Sequence, residues 1–328
     1  MKLIDYIKKY DRRLIYPQMG NLSLKLTGYK IFDVYNSAEK QLEVAKAMDD
    51  TFGGDFVYPL DYGVIFLEAL GVPLLKPEYD FPSTLENPIK NLESLDNLKV
   101  LDPYKDGNMP LYLESIKKIA TNFEKPLALA LVGPFTLASE LAGVTHLARC
   151  TIKNPEFVSK LMQYTTEVVL NFAKAAVDNG VKFLQISEPT TVILSPKRFD
   201  ELVTNNLRRI FNSLDAFKIL HICGDTTYLI NQLIKCGAEG LSIDQIIDMP
   251  KYVTKLPKDM VIIGNIDPLN VLYEMNEEDV KNETLKILKS MKNFDNFMLA
   301  PGCDCLLDTP TENIKAYMEA GKTKLCDL

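Results

Sequence analysis

The sequence predicts an α/β fold, a (β/α)8 TIM barrel, and three observations predict it. Short apolar runs recur along the 328 residues, and each ends in Gly, Pro or Asp. Most stretches between them carry apolar residues at helical spacing. The runs number eight, which matches the strand count and chain length of such a barrel. Strands alternating with helices form right-handed βαβ units and a parallel sheet. Runs that are apolar throughout suit strands covered on both faces.

An N-terminal extension, MKLIDYIKKYDRR, alternates charged and apolar residues ahead of the first run. The runs are LIYPQMG (14–20), DFVYPLD (55–61), LALALVGPF (127–135), KFLQISEP (182–189), KILHICGD (218–225), GLSIDQ (240–245), VIIGNID (261–267) and FMLAPGCD (297–304). Helical spacing follows in PEFVSKLMQYTTEVVLNFAKAAVDNG, TTYLINQLIKCG and NEEDVKNETLKILKSMK. The section 62–125 holds the Pro-rich piece GVPLLKPEYDFPSTLENP and is expected to make a helical excursion near the barrel mouth. The alternative is an open doubly wound sheet, but no Gly-rich dinucleotide fingerprint follows an early strand. With no repeat or linker in view, residues 1–328 are expected to form one barrel domain.

Composition narrows the function. The net charge is −7, and Lys and Arg are spread through helical patterns such as SPKRFDELVTNNLRRIF. A nucleic-acid partner is not expected without a basic stripe. No apolar run is long enough to span a bilayer, and the N-terminus lacks a signal-peptide core, so no membrane partner and a cytoplasmic location are expected. Six cysteines are too few for a secreted disulfide scaffold of this length. Cys150, Cys236 and Cys326 lie in helical or tail contexts that suit small buried or incidental residues. Cys223, Cys303 and Cys305 end apolar runs instead.

In a barrel, the C-terminal ends of the strands converge on one mouth. Here those ends carry Asp61, Glu188, His221 with Cys223, Asp244, Asn265 with Asp267, and Cys303, Asp304 and Cys305. On a strand, residues i and i+2 share a face, so His221 and Cys223 are expected to point into the mouth together. Cys303 or Cys305 would supply a third soft ligand, and imidazole with two thiolates favours Zn2+. Three ligands at a mouth suit an open catalytic zinc better than a closed structural one. The acids also have structural readings. Asp61 suits a helix cap, Glu188 a loop before Pro189, Asp244 a turn, and Asp267-Pro268 a helix entry.

GNIDP (264–268), APGCDCLLDTPTENIKAY (300–317), LSPKRFDEL (194–202) and GPFTLASELAG (133–143) resemble the uroporphyrinogen decarboxylase superfamily. With HICGD (221–225), the sequence is most similar to its zinc-dependent methylcobamide:coenzyme M methyltransferase branch. The resemblance runs from MGNLS to the TPTEN helix. It implies a methyltransferase that moves a methyl group from methylcobalamin, carried by a partner corrinoid protein, to a small thiol such as coenzyme M. It implies zinc on His221, Cys223 and Cys303, with Cys305 an extra cysteine beside the pattern. A displaceable carboxylate is expected as fourth ligand: Asp244, or else Glu188.

Asp61 matches the decarboxylase's catalytic aspartate, so Asp61, Glu188 and Asp244 are the candidate catalytic acids. PQMGNLS stands where the decarboxylase has an arginine-rich stretch, and Glu140 stands where it has a tyrosine. Met19, Gly20 and Asn21, with Asn265 and Asp267, are the candidate contacts to the cobalamin cofactor. The loops 19–28 and 72–92 are candidate docking surfaces for its carrier. The alternatives are a decarboxylase-like activity and a methyltransferase using another donor, such as a methylated folate.

Overall fold

Six parallel strands make the sheet of the computed structural model, which describes residues 1–328. They are β1 (Leu127–Val132), β2 (Val181–Ser187), β3 (Phe217–Ile222), β4 (Gly240–Ile243), β5 (Val261–Ile266) and β6 (Phe297–Pro301). Each pairs in parallel with the next in chain order. The first two apolar runs supply the remaining barrel positions, but as single bridges rather than ladders. Ile15 bridges Leu299 on β6, and Val57 bridges Leu127 on β1. Pro17 and Pro59 lack the N–H that a continuing ladder needs.

Side chains close the barrel between those two segments. The Ile15 N–H donates to the Asp55 carboxylate at 2.8 Å, Arg12 pairs with Asp55, and the Tyr16 and Phe56 rings meet edge-on at 5.5 Å. The eight predicted runs therefore all reach the barrel wall, two of them with little regular strand.

Alternation along the strands sorts the core into two parts. Tyr16, Phe56, Ala128, Phe183, Ile219, Ile263 and Met298 point inward and form a buried cluster inside the barrel. The predicted N-terminal extension plugs the bottom: helix Leu3–Ile7 adds Leu3, Ile4 and Ile7 to that cluster. The outward-facing residues pack under helices such as Pro155–Asp178, whose apolar stripe contributes to a much larger outer core.

The 62–125 section forms helices Ile65–Ala69, Leu92–Asp96 and Met109–Asn122 with a short hairpin, Leu74–Leu75 against Ser83–Thr84. It reaches the mouth, where Phe81 and Pro82 line a cavity together with Asp61 and Asp304. No helix is long and apolar enough to cross a membrane.

Candidate metal centre

The strand pleat does what the HxC spacing predicts. His221 lies on β3 and Cys223 just past its end, and His221 Nε2 sits 3.1 Å from Cys223 Sγ. Cys303, in the turn after β6, brings its Sγ to 3.5 Å from Cys223 Sγ. The three ligand atoms all lie within 4.8 Å of one another. β3 and β6 are not neighbours, so the cluster reaches across the mouth. Gly302 makes the last turn possible. A Cβ there would stand 2.8 Å from Gln245 Oε1 and 2.9 Å from Gln245 Cα, closer than real contacts allow.

The imidazole is held from behind. His221 Nδ1 lies 3.0 Å from Ser242 Oγ, its register partner on β4, and Ser242 Oγ donates to Gln18 Oε1 at 3.1 Å. A metal-binding Nε2 needs its lone pair free, which puts the proton on Nδ1. Nδ1–H then donates to Ser242, and Ser242 passes its own proton on to Gln18. Gln18 Nε2, 3.4 Å from Nδ1, makes only a longer approach. This is the outer-shell arrangement that fixes a ligating histidine's tautomer and ring plane.

The sulfurs are electronically unequal. The hydrogen bond from Cys223, then that from His221, lowers the Cys303 thiol below its ordinary value, while the same sharing and burial push Cys223 up. Two thiols at this separation share one proton, and a cation between them would release it. One imidazole nitrogen and two sulfurs on separate strands, one of them readily ionised, form a donor set that fits zinc. Cys305 is turned away from this cluster. It is buried, and its Sγ donates to the Gln18 carbonyl at 3.5 Å.

The predicted acids separate by what their oxygens touch. Asp244 does not join the cluster. Its oxygens accept from Gly224 N at 2.7 Å and Ile246 N at 3.0 Å, so it clamps the turn that carries Cys223. Glu188 is fully buried and faces the first turn of helix Pro134–Ala142. It accepts from Phe135 N at 2.9 Å, Thr136 N at 2.8 Å and Thr136 Oγ1 at 2.7 Å. Burial pushes its carboxyl up to about 7, and those three donors oppose the shift. Expected as a fourth ligand or catalytic acid, Glu188 instead lies outside the His–Cys–Cys cluster, with both oxygens accepting from the backbone and Thr136.

Asn265 and Asp267, expected as contacts to the cofactor, are likewise engaged in local hydrogen bonds. Asn265 Nδ2 donates to the carbonyls of Asp244 at 3.0 Å and Ile247 at 2.8 Å. Asp267 accepts from Leu269 N at 2.9 Å and Asn270 N at 2.8 Å at a helical entry. Neither lines the cavity. Asn21 is buried, with Nδ2 donating to the Tyr79 carbonyl at 2.6 Å, so it ties the loop to the excursion instead of facing a ligand.

A cavity of about 190 Å3 opens over the cluster, lined by His221, Cys223 and Cys303 together with Met19, Gly20 and Asp61. Gln18, Gln185 and Asp304 share the wall. Burial first, then the nearby Asp304, pushes Asp61 up to about 7; burial and then Cys303 push Asp304 up to about 6. Asp304 is exposed and lines both this cavity and the adjoining one that Phe81 and Pro82 share. The sequence reading missed Gln18, Ser242 and Gln185. None of the three carries a motif, and only the register of β3 with β4 sets Ser242 beside His221.

The family model for uroporphyrinogen decarboxylase matches residues 8–323. A methylcobamide:CoM methyltransferase of Methanosarcina acetivorans is 29% identical over 248 residues, 74% of this chain and 71% of that protein. One from Methanosarcina mazei is 27% identical over 301 residues, 88% of this chain and 86% of that one. A solved methyltransferase from Methanosarcina mazei superposes with a TM-score of 0.88 at 25% identity, covering 97% of this chain and 96% of the other.

Proposed function

This chain belongs to the uroporphyrinogen decarboxylase family, and we propose that within it the protein is a zinc-dependent methyltransferase. It moves a methyl group from methylcobalamin on a separate corrinoid protein to a small thiol. The observation that carries this reading is the meeting of His221 Nε2, Cys223 Sγ and Cys303 Sγ within 4.8 Å at the floor of the mouth cavity. Zinc bound there would supply the Lewis acidity that strips the proton from an incoming thiol at neutral pH.

The chain's own residues prepare that event. Ser242 and Gln18 hold the His221 ring with Nε2 free. Cys223 and Cys303 bring sulfur ligands that keep electron density on the metal side. Asp244 fixes the Gly224 turn, so Cys223 keeps its position. Met19 and Gly20 line the cavity over which a bulky corrinoid would have to present its methyl group. Transfer exchanges a cobalt–carbon bond for a sulfur–carbon bond, and both electrons of the broken bond stay on cobalt.

Decarboxylation of a porphyrinogen fits less well. Its carboxylates need cations, and the wall of this cavity contains neither Lys nor Arg. The test is zinc content of the purified protein and zinc-edge X-ray absorption with and without thiols. Methylcobalamin demethylation, read by its absorbance, runs alongside. About one zinc per chain in an N/S2 shell that gains a sulfur on thiol addition is expected. A protein without zinc that transfers methyl groups at full rate would refute the scheme.

A further inference from the structure

The six cysteines are all thiols, and two of them stand sulfur to sulfur in the mouth cavity. Cys223 Sγ and Cys303 Sγ are 3.5 Å apart, while a disulfide bond is about 2 Å long, so closing one takes an approach of about 1.5 Å. The backbone keeps the pair opposed. Gly224, which follows Cys223, donates its N–H to Asp244 Oδ2 at 2.7 Å. Gly302, which precedes Cys303, donates its N–H to the Ile266 carbonyl at 2.7 Å and is closed in by Gln245. Both cysteines are half-buried and line the cavity, so a small molecule entering by the mouth reaches their sulfurs. The other four are turned elsewhere. Cys305 is buried, and its Sγ donates to the Gln18 carbonyl at 3.5 Å. Cys150 and Cys236 point to His146 and the Gln232 carbonyl, and Cys326 lies beside Asp327 at the C-terminal end.

We propose that this pair has a second activity, thiol–disulfide exchange with the disulfide form of the small thiols that the cavity takes, and that the exchange releases the zinc. The proposal rests on the reading of the cluster as a zinc centre. One cysteine thiolate attacks a sulfur of the small disulfide, R–S–S–R. That S–S bond breaks, one RS− leaves, and a mixed disulfide with the protein remains. The other cysteine thiolate attacks the protein-side sulfur of the mixed disulfide and expels the second RS−. The cysteine pair loses two electrons, and the small disulfide gains them as it becomes a pair of thiolates. Charge balances as well, because the small thiolates carry the two charges that the cysteines surrender. Disulfide sulfur carries no charge to hold a dication, which leaves His221 alone of the three ligands. An excess of the reduced thiol drives both steps backward and restores the ligands. The centre is then competent only while its own acceptor is kept mostly reduced.

The experiment takes full-length, zinc-loaded protein under argon and adds bis(2-hydroxyethyl) disulfide in excess. A chromogenic chelator reads zinc release, thiol titration counts free cysteines, and peptide mapping locates any bridge. Loss of zinc and loss of two of the six thiols are expected to rise together, one zinc for each Cys223–Cys303 bridge. Excess 2-mercaptoethanol with added zinc is expected to reverse both. Cys305→Ser is expected to release its zinc like the wild type. Retained zinc with six free thiols, a lasting mixed disulfide without a bridge, a bridge to Cys305, or a release lost in Cys305→Ser overturns the proposal. None of these readouts uses methyl transfer, so the two readings fail separately. A Cys223–Cys303 bridge with zinc release, in a protein that transfers no methyl group to any thiol, sustains the exchange and sinks the methyltransferase. Methyl transfer by a protein whose zinc and thiols survive the probe does the reverse.

Discussion

In Ser242→Ala, the His221 Nδ1–H loses the acceptor that stands 3.0 Å away, at a position 2% exposed. Water has little access to replace it. Leaving a buried donor unpaired costs about 1–3 kcal/mol. Losing the group behind a ligating histidine typically lowers metal affinity about 10–100-fold, which is about 1.4–2.7 kcal/mol. The neighbouring amide sets where in that range the variant falls. Gln18 Nε2 is 3.4 Å from Nδ1, and an amide flip would bring Oε1 into its place. Ser242→Ala alone is therefore expected near tenfold, and Ser242→Ala with Gln18→Leu near a hundredfold. Ser242→Thr, which keeps the hydroxyl, is expected to restore most of the affinity. Competitive titration against a chromogenic zinc chelator at fixed pH measures all three. Wild-type zinc affinity in Ser242→Ala, accompanied only by lower stability, would show His221 to be a core histidine and refute the tautomer argument.

Cys303→Ser is expected to bring zinc content well below one per chain, whereas Cys305→Ser should keep it, because Cys305 Sγ faces the Gln18 carbonyl. Metal analysis of the two variants decides between the two sulfurs. Gly302→Ala drives a Cβ against Gln245 and should lower stability by about 1–3 kcal/mol and displace Cys303. Urea unfolding and zinc titration should move together, and an unperturbed zinc affinity would contradict the tight-turn account. Burial, then Glu188, pushes the Glu140 carboxyl up to about 7. An acid whose folded pKa is raised favours the fold most when protonated, so its contribution is lost as pH rises from the unfolded value near 4.3 through about 7. At pH 8 the penalty is at most about 4 kcal/mol. Glu140→Gln should therefore gain stability over wild type at pH 8 but little at pH 5, and equal gains at both would count against a buried, ionising Glu140.

Much of the barrel was legible because its signals are local. Continuous apolar runs followed by Gly, Pro or Asp mark six paired strands, and the helical spacing between them implies parallel order. Pro17 and Pro59 were visible too, and they are why the first two runs contribute only a bridge each. The HxC pair was legible from the pleat alone. The third sulfur was not, since Cys303 and Cys305 are equally near in sequence and only the fold of the turn points Cys303 inward and Cys305 back at Gln18. Gln18 and Ser242 were hidden for another reason. Their role depends on register between β3 and β4 and on closure by the first run, which are tertiary facts without a motif.

The acids at the mouth show where a strand-end rule stops working. Such a rule treats Asp61, Glu188, Asp244, Asp267 and Asp304 alike, because each ends or follows an apolar run. Hydrogen bonding divides them. Asp244, Glu188 and Asp267 each accept two backbone N–H groups at turns or helix entries. To bind a ligand they would first have to give up those donors, which for Glu188 would leave buried N–H groups unpaired. Asp61 has only a marginal approach from the Tyr62 N–H, and Asp304 has no donor on its carboxylate. Burial raises both, so both are held in a state that a cation or an N–H donor would relieve. The free acids are the two that line the cavity over the His–Cys–Cys cluster, and the committed ones build the turns around it. Placing an unpaired acceptor beside a site costs stability, and that cost is offset when a ligand supplies the missing donor. The same comparison predicts that Asp61→Asn alters ligand binding more than folding, whereas Asp244→Asn, which leaves one acceptor oxygen for the Gly224 and Ile246 N–H groups, perturbs the Cys223 turn before any substrate arrives.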